Sequence, residues 1–392
     1  MRVLLTMNAG SSSLKFAIFD AGDHGRRLAS GWIERIGLTD TRRTVDDHER
    51  GRREEGPVDA PDVSIAAATV LDWLVSRRGL DGVAAVGHRV VHGGPRFHRP
   101  EPITDEVIEE LRRITPLDPD HLPGAIAIIE LVRDRLPDVP QVACFDTAFH
   151  HDLPRVAQIL PIPRRFEAAG VRRYGFHGLS FAYLMGELER LSPVAARGRV
   201  VLAHLGAGAS LAAVAGGRCI DTTMALTPAA GLVMATRSGD IDPGLVRFLA
   251  RTEGLSADGF DDLINHHSGL VGVSETSPDF RELWERRAGD VRAAEAVELF
   301  CYRVKTGIGG FAAALGGLDA LVFSGGIGEN SAGARELTCA GLEFLGITLD
   351  PARNAESAPS ISRDGAPVEV RVIRTDEEAA IARSAAAMLA RP

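Results

Sequence analysis

The chain has 392 residues, 45% of them hydrophobic, with 42 glycines and 21 prolines, a composition that suits a globular α/β protein of two domains better than one core. Its formal charge of -9 argues against non-specific nucleic-acid binding, while leaving room for a local basic cleft around a small anion. The cysteines at 144, 219, 301 and 339 have no CxxC spacing and no close Cys/His cluster, so the chain reads as reduced and cytoplasmic, with no zinc site, signal peptide or spanning helix.

In residues 2–20 an apolar run, Val3 to Met7, gives way to Asn8, Gly10 and Ser11 to Ser13, and alternation resumes through Leu14, Phe16 and Ile18. This predicts strand, tight polar loop, strand. Such a loop can turn backbone N–H groups and hydroxyls toward a phosphate, with Lys15 as a point charge nearby, although Gly and Ser also make ordinary hairpins. Residues 199–214, RVVLAHLGAGASLAAV, repeat the pattern. An offset of 197 lays Arg2 on Arg199, Val3 on Val200, Leu5 on Leu202, Ser13 on Ser210 and Leu14 on Leu211. A duplicated fold with one such hairpin in each half follows, and a cleft lined by both loops would suit a phosphate-bearing ligand.

Residues 21–62 are rich in charge and read as a solvated excursion or a hairpin tip. A helix is predicted over 64–77. It leads to VAAVGHRVVHGG, a buried strand that ends in Arg89; a cation there needs an anionic partner, which a substrate or a structural salt bridge would equally supply. Thr104 caps a helix with acidic residues in its first turn. VPQVACFDTAFH is a strand ending at Asp146, whose carboxylate can hold a metal, accept a proton, orient a water or cap the next turn.

In VRRYGFHGLS, Gly175 and Gly178 bracket His177, which is then open to a ligand or is a satisfied structural histidine. TRSGDIDP sets Arg237 beside Asp240 and Asp242, either to neutralise a transferring phosphoryl group or to be clamped by those acids. Helices are predicted over 244–252, 256–265 and 290–315. A strand at 320–323 runs into GGIGEN, whose glycines can lie against a purine or a phosphate but lack the order of a dinucleotide fingerprint. Asp376, Glu377 and Glu378 open a final helix, a placement the helix dipole favours with or without a metal.

These motifs resemble the acetate kinase family, in the acetokinase group of the sugar-kinase, Hsp70 and actin superfamily. NAGSSSLKF, GHRVVHGG, CFDTAFH, RRYGFHG, HLGAGAS, TRSGDIDPG, SGGIGEN and RTDEEAAIARS occur in the family's order over almost the whole chain. The resemblance implies an α/β fold: a duplicated ribonuclease H-like, actin-like ATPase architecture with two domains and a cleft between the lobes. The N-terminal lobe, 1–195, would take the acyl substrate, with the C-terminal helix at about 376–392 packing back on it; 196–375 would bind the nucleotide.

The implied reaction is reversible ATP-dependent phosphorylation of acetate to acetyl phosphate and ADP, by direct in-line transfer, with Mg²⁺ (Mn²⁺ as a substitute), in a homodimer and without nucleic-acid or membrane partners. Carried across, Asp146, His177 and Arg237 would be catalytic, and Asn8 and Glu377 would lie at the metal. Arg89 would hold the carboxylate, while Val91, Leu117, Phe176 and Pro228 would line the acyl pocket. The nucleotide would meet Lys15, then His204, Leu205, Gly206, Ala207 and Gly208, then Asp279, Phe280 and Arg281, and finally Gly326, Ile327, Gly328, Glu329 and Asn330. A carboxylate, with a pKa of roughly 4, is already ionised at neutral pH, so Asp146 is read as orienting or metal-associated rather than as a proton abstractor.

Three positions depart from the family pattern. Ala207 stands where Asn is usual, Phe181 where His follows RRYGFHG, and Asp118 where the PLHNP histidine stands. They bear on nucleotide affinity, rate and acyl preference. Propionate or butyrate as the acceptor is one alternative, because a methylene is worth only about 1 to 3 kcal/mol in such a pocket. A nucleotide-binding regulator with little turnover is the other.

Overall fold

The computed structural model describes residues 2–10, 12–78 and 82–390; Ser11 of the first loop and the last two residues of the C-terminal segment lie outside these. The chain divides into two compact units. One comprises Met1–Phe149, Gly178–Tyr183 and Asp376–Pro392, the other His150–His177 and Leu184–Thr375.

The first unit is built on β1 (Val3–Ala9), β2 (Ser13–Asp20), β3 (Arg27–Glu34), β4 (Arg42–Asp47), β5 (Arg52–Pro57), β6 (Val83–Val90), β7 (Glu101–Pro102) and β8 (Gln141–Phe145). They form one sheet in the order β5-β4-β3-β2-β1-β6-β8-β7. β1 runs antiparallel to β2 and parallel to β6, which is parallel to β8. Successive side chains of β1 enter opposite cores, which is why Val3 to Asn8 are all buried and mostly apolar. Leu5 and Met7 join Phe16 and Ile18 against helices Val63–Arg78 and Leu122–Arg135; Leu4 joins Phe19 against helix Glu377–Leu389.

Of the two readings of the charged stretch in residues 21–62, the hairpin is the one found: β4 and β5 pair antiparallel across an exposed turn at 48–51. The stretch supplies β3 to β5, and Leu28, Ile33 and Val45 are fully buried. Sparse apolar residues on one face were enough to extend the sheet, because its other face tolerates charge.

The second unit contains β9 (Arg199–Leu205), β10 (Ala209–Ala215), β11 (Arg218–Thr222), β12 (Ala320–Ser324) and β13 (Glu369–Val372), in the order β11-β10-β9-β12-β13. β9, β10 and β11 pair antiparallel, whereas β12 runs parallel to both β9 and β13. This reproduces the order and directions of β3-β2-β1-β6-β8, so the chain is a duplicated ribonuclease H-like protein with a mixed sheet in each unit. Between equivalent pairs the second hairpin is three residues shorter than the first, as the registers Met7↔Phe16 and His204↔Ser210 require. The offset of 197 is therefore right for β1 on β9 but out of register for β2 on β10: the partner of Ser210 is His204, the equivalent of Met7, which pairs with Phe16.

Helix Val291–Leu315 packs on β9 and β10 through a stripe that includes Ala293, Ala296, Val297, Phe300, Val304 and Ile308. Asp290 caps its start, accepting from the amides of Arg292 and Ala293, and Gly316, at φ 72°, ends it. GGIGEN forms a short helix, Gly325–Asn330. Among the described residues no helix is long and apolar enough to cross a membrane.

Candidate active site

In the first unit the polar groups gather where β1, β6 and β8 end. Arg89 lies one residue from the end of β6, and Asp146 follows β8 directly, its amide donating to Val90 O at 3.1 Å. Arg89 donates to Asp146 Oδ2 through Nε at 3.1 Å and Nη2 at 2.6 Å, and through Nη1 to Ala9 O at 3.1 Å and Asn8 Oδ1 at 3.4 Å. The salt-bridge reading of Arg89 is thus realised, with part of its side chain still open.

Burial opposes the charge on Arg89, but Asp146 and Glu377 outweigh it and hold its pKa above the ordinary arginine value. For Asp146 burial dominates and pushes the carboxyl up, with Arg89 pulling it back. Its Oδ1 is buried and has no hydrogen-bond partner.

Asn8 Nδ2 donates to Glu377 Oε2 and to Glu378 Oε1, both at 2.9 Å, which leaves Oδ1 facing Arg89. Both glutamates stand in the first turn of helix Glu377–Leu389, capped by Asp376, which in turn is paired with Arg27. Lys15 is exposed on β2 opposite Asn8. Asn8, Glu377 and the orphan oxygen of Asp146 form a hard, all-oxygen donor set of the kind Mg²⁺ accepts. Among the described residues no three His, Cys, Asp or Glu side chains form a metal cage.

In the second unit His177 adopts left-handed backbone, φ 59°, immediately before helix Gly178–Leu191. Its Nδ1 lies 2.8 Å from Ser210 Oγ, and its ring centroid 4.4 Å from that of His204. Arg237 donates to Pro228 O at 2.8 Å. Gly208 brings these two cationic candidates together: a Cβ there would sit 3.2 Å from His177 Nε2 and 3.5 Å from Arg237 Nη2. Asp240 and Asp242 are engaged with the backbone amides of Gly231 and Gly244. Of the expected acyl-pocket residues, Val91 and Leu117 lie in the first unit, Phe176 and Pro228 in the second.

A pocket of about 700 Å³ in the second unit is lined by Gly206, Ala207, Asp279, Phe280, Arg281, Gly326, Ile327 and Asn330, together with Ala235, Pro278, Trp284 and Ser331 to Gly333. His204, Leu205, Gly208, Gly328 and Glu329 are adjacent in sequence but do not line it. Glu329 Oε1 instead accepts from the amides of Gly325 at 2.9 Å and Thr375 at 3.1 Å, holding the strand ends.

Trp284 and Gly333 escaped the sequence reading. Their close approach, 1.9 Å for a Cβ on Gly333, joins segments far apart in the chain; the only sequence signal was Trp284 standing four residues after Phe280, on one helix face. The contact of Ser210 with His177 escaped too.

The acetokinase family model matches residues 3–383. The chain belongs to the acetokinase family. It is 45% identical to the propionate kinase of Citrobacter rodentium over 386 residues, covering 97% of this chain and 95% of that one. It is 44% identical to the acetate kinase of Methylocella silvestris over 401 residues, 99% and 98% of the two chains. The crystal structure of Porphyromonas gingivalis acetate kinase superposes with a TM-score of 0.90 at 37% identity, over 99% of this chain and 100% of that one. As an acetokinase the chain is an ATP-using kinase of short-chain carboxylates, and its relatives divide between the two substrate names.

The departures from the family pattern have distinct settings in this acetokinase. Ala207 is exposed on the pocket wall. Phe181 is fully buried against Phe149, ring centroids 5.9 Å apart, as a core residue. Asp118 is buried and paired with His121 at 2.7 Å.

Proposed function

We propose that this acetokinase reversibly phosphorylates acetate with ATP, giving acetyl phosphate and ADP by direct in-line transfer. The observation that carries the reading is Arg89: a largely buried guanidinium, fixed by Asp146, Asn8 and Ala9 at the ends of three strands, with part of its surface left for an anion. A carboxylate nucleophile needs charge neutralisation and alignment more than a base. Arg89 would hold it, and Asp146 would orient Arg89 without taking a proton.

The glycine-lined pocket would take the nucleotide, with Lys15 meeting its phosphates. His177, its ring oriented by Ser210, and Arg237, anchored on Pro228 O, would neutralise the equatorial oxygens of the transferring phosphoryl group. Asn8 and Glu377 would hold Mg²⁺, or Mn²⁺ in its place. When bound, the ion neutralises phosphate charge.

Acetate is preferred to propionate or butyrate on the family motifs alone. Val91, Leu117, Phe176 and Pro228 would set that choice, and a kinetic comparison of the three acids with Mg²⁺ and ATP tests it. A cytoplasmic setting agrees with four buried cysteines in thiol form.

We place homodimer formation in the same reading. Helices Gly244–Thr252 and Ala257–His266 bury no residue fully, and Val246 and Phe248 stay exposed, a face that a second copy would cover. Sedimentation of the chain and of Phe248→Lys tests this: a dimer that becomes a monomer supports it, and an unchanged mass contradicts it.

A further inference from the structure

We propose that His121, held by Asp118, is a second contact beside Arg89 for the anionic end of the short carboxylate or its acyl phosphate. The inference rests on the carboxylate-kinase reading and deepens it.

Asp118 closes the turn after Thr115–Leu117, its amide donating to Thr115 O at 3.0 Å and its carbonyl accepting from Leu122 N at 3.2 Å. That turn buries its carboxylate to 4% exposure. Oδ1 meets His121 Nδ1 at 2.7 Å, whereas Oδ2 is buried without a partner. A buried carboxylate with one orphan oxygen depends heavily on the contact it has, so the imidazole is fixed in one orientation.

His121 stands at the N-cap position of helix Leu122–Arg135 yet makes no capping bond there. A residue in that place usually satisfies a free helix amide. Its Nδ1 is committed to Asp118 instead, and the side chain keeps 21% of its surface open.

The pair also belongs to the Arg89 cluster electrostatically. The charge of Asp118 acts on Arg89, and that of His121 acts on Asp146. Leu117, expected in the acyl pocket, is the residue immediately before Asp118. With both nitrogens protonated, the ring donates to Asp118 through Nδ1 and offers Nε2–H to an anion. Arg89 and His121 would then hold the two sides of one carboxylate, while the nucleotide pocket, in the other unit, is untouched.

The test compares the full chain with His121→Gln and Asp118→Asn, measuring calorimetric affinity for acetate, propionate and acetyl phosphate together with KM for the carboxylate and for ATP. His121→Gln is expected to weaken the acyl anions by about tenfold or more while KM for ATP stays within about twofold, as loss of one charged hydrogen bond predicts. Asp118→Asn keeps an acceptor for Nδ1 but removes the charge, and is expected to weaken the same ligands by about threefold to fivefold.

Acyl-anion affinities unchanged in His121→Gln, or equal rises in both KM values, would overturn the inference and leave the pair a structural one. If His121→Gln does not fold, Asp118→Asn decides on the same split. A wild-type chain that binds none of the three acyl ligands would sink the carboxylate-kinase reading itself, an outcome distinct from variants that bind as well as wild type.

Discussion

Arg89 and Asp146 are joined by two hydrogen bonds to one carboxylate oxygen, Oδ2, while the other oxygen of Asp146 is buried without a partner. An arginine used only to neutralise that acid would be expected to engage both oxygens. The remaining reach of Arg89, toward Asn8 and Ala9, fixes its plane instead of completing the pair.

Arg89→Lys keeps the charge but cannot span these acceptors. It should lower kcat/KM for the carboxylate by at least about 100-fold and leave KM for ATP within about twofold. Arg89→Ala strands Asp146 as a buried charge and should reduce unfolding free energy by about 3 to 5 kcal/mol. Urea unfolding and steady-state kinetics check both; wild-type kinetics in Arg89→Lys would remove Arg89 from the site.

Gly208→Ala would put a methyl group 3.2 Å from His177 Nε2, a ring whose other nitrogen is tied to Ser210. The small displacement should cost about 10- to 100-fold in kcat, with nucleotide affinity changed by less than about threefold. Ser210→Ala removes the hydrogen bond to Nδ1 of the same ring and should lower kcat in the same direction. Unaltered kcat in both variants would mean that the orientation of His177 is irrelevant to the reaction.

Gly333 faces Trp284 so closely that any side chain must push the indole away. Gly333→Val should therefore raise KM for ATP by about tenfold or more through the disturbed pocket wall, while leaving KM for the carboxylate within about twofold. Equal effects on both substrates would mean a general loss of structure.

His88 is fully enclosed, with Nε2 2.7 Å from Gln141 Oε1, and burial pushes its pKa from 6.5 down to about 4 against that hydrogen bond. The unfolded chain takes up this proton near 6.5 and the folded chain only near 4. The contribution is therefore complete above pH 6.5 and is lost as pH falls toward 4, amounting to about 3 kcal/mol in all. Imidazole shifts in NMR should show the ring neutral at pH 5.5, and His88→Gln should flatten the stability profile over that window. A ring already protonated at pH 5.5 would contradict this.

Much of the fold was legible because local pattern and tertiary need coincide. The run of β1 is mostly apolar because both faces are covered, and helix Val291–Leu315 carries its own cap, stripe and terminal glycine. In residues 21–62 the hairpin was legible but the sheet it joins was not, because β3 and β4 need only a few buried side chains and charge elsewhere in the segment hid them. The repeated hairpin was recognisable from β1 and β9, but a three-residue difference in the turns is invisible to an ungapped match.

At the site, residues within contiguous motifs could be read, and eight of the expected nucleotide residues meet in one pocket. Trp284 with Gly333, and Asp118 with His121, could not. The first pair is made by long-range packing, and the meaning of the second depends on Asp118 being buried.

The most direct test of the account is a matched comparison of acetate, propionate and butyrate as acceptors with ATP and Mg²⁺, trapping acyl phosphate with hydroxylamine and including Arg237→Ala. The account predicts rapid acyl phosphate formation, highest with acetate, that falls by at least about 1,000-fold in the variant. Preference for a longer acid would move the substrate assignment alone. Absence of any acyl phosphate, despite measurable ATP binding, would contradict the kinase mechanism.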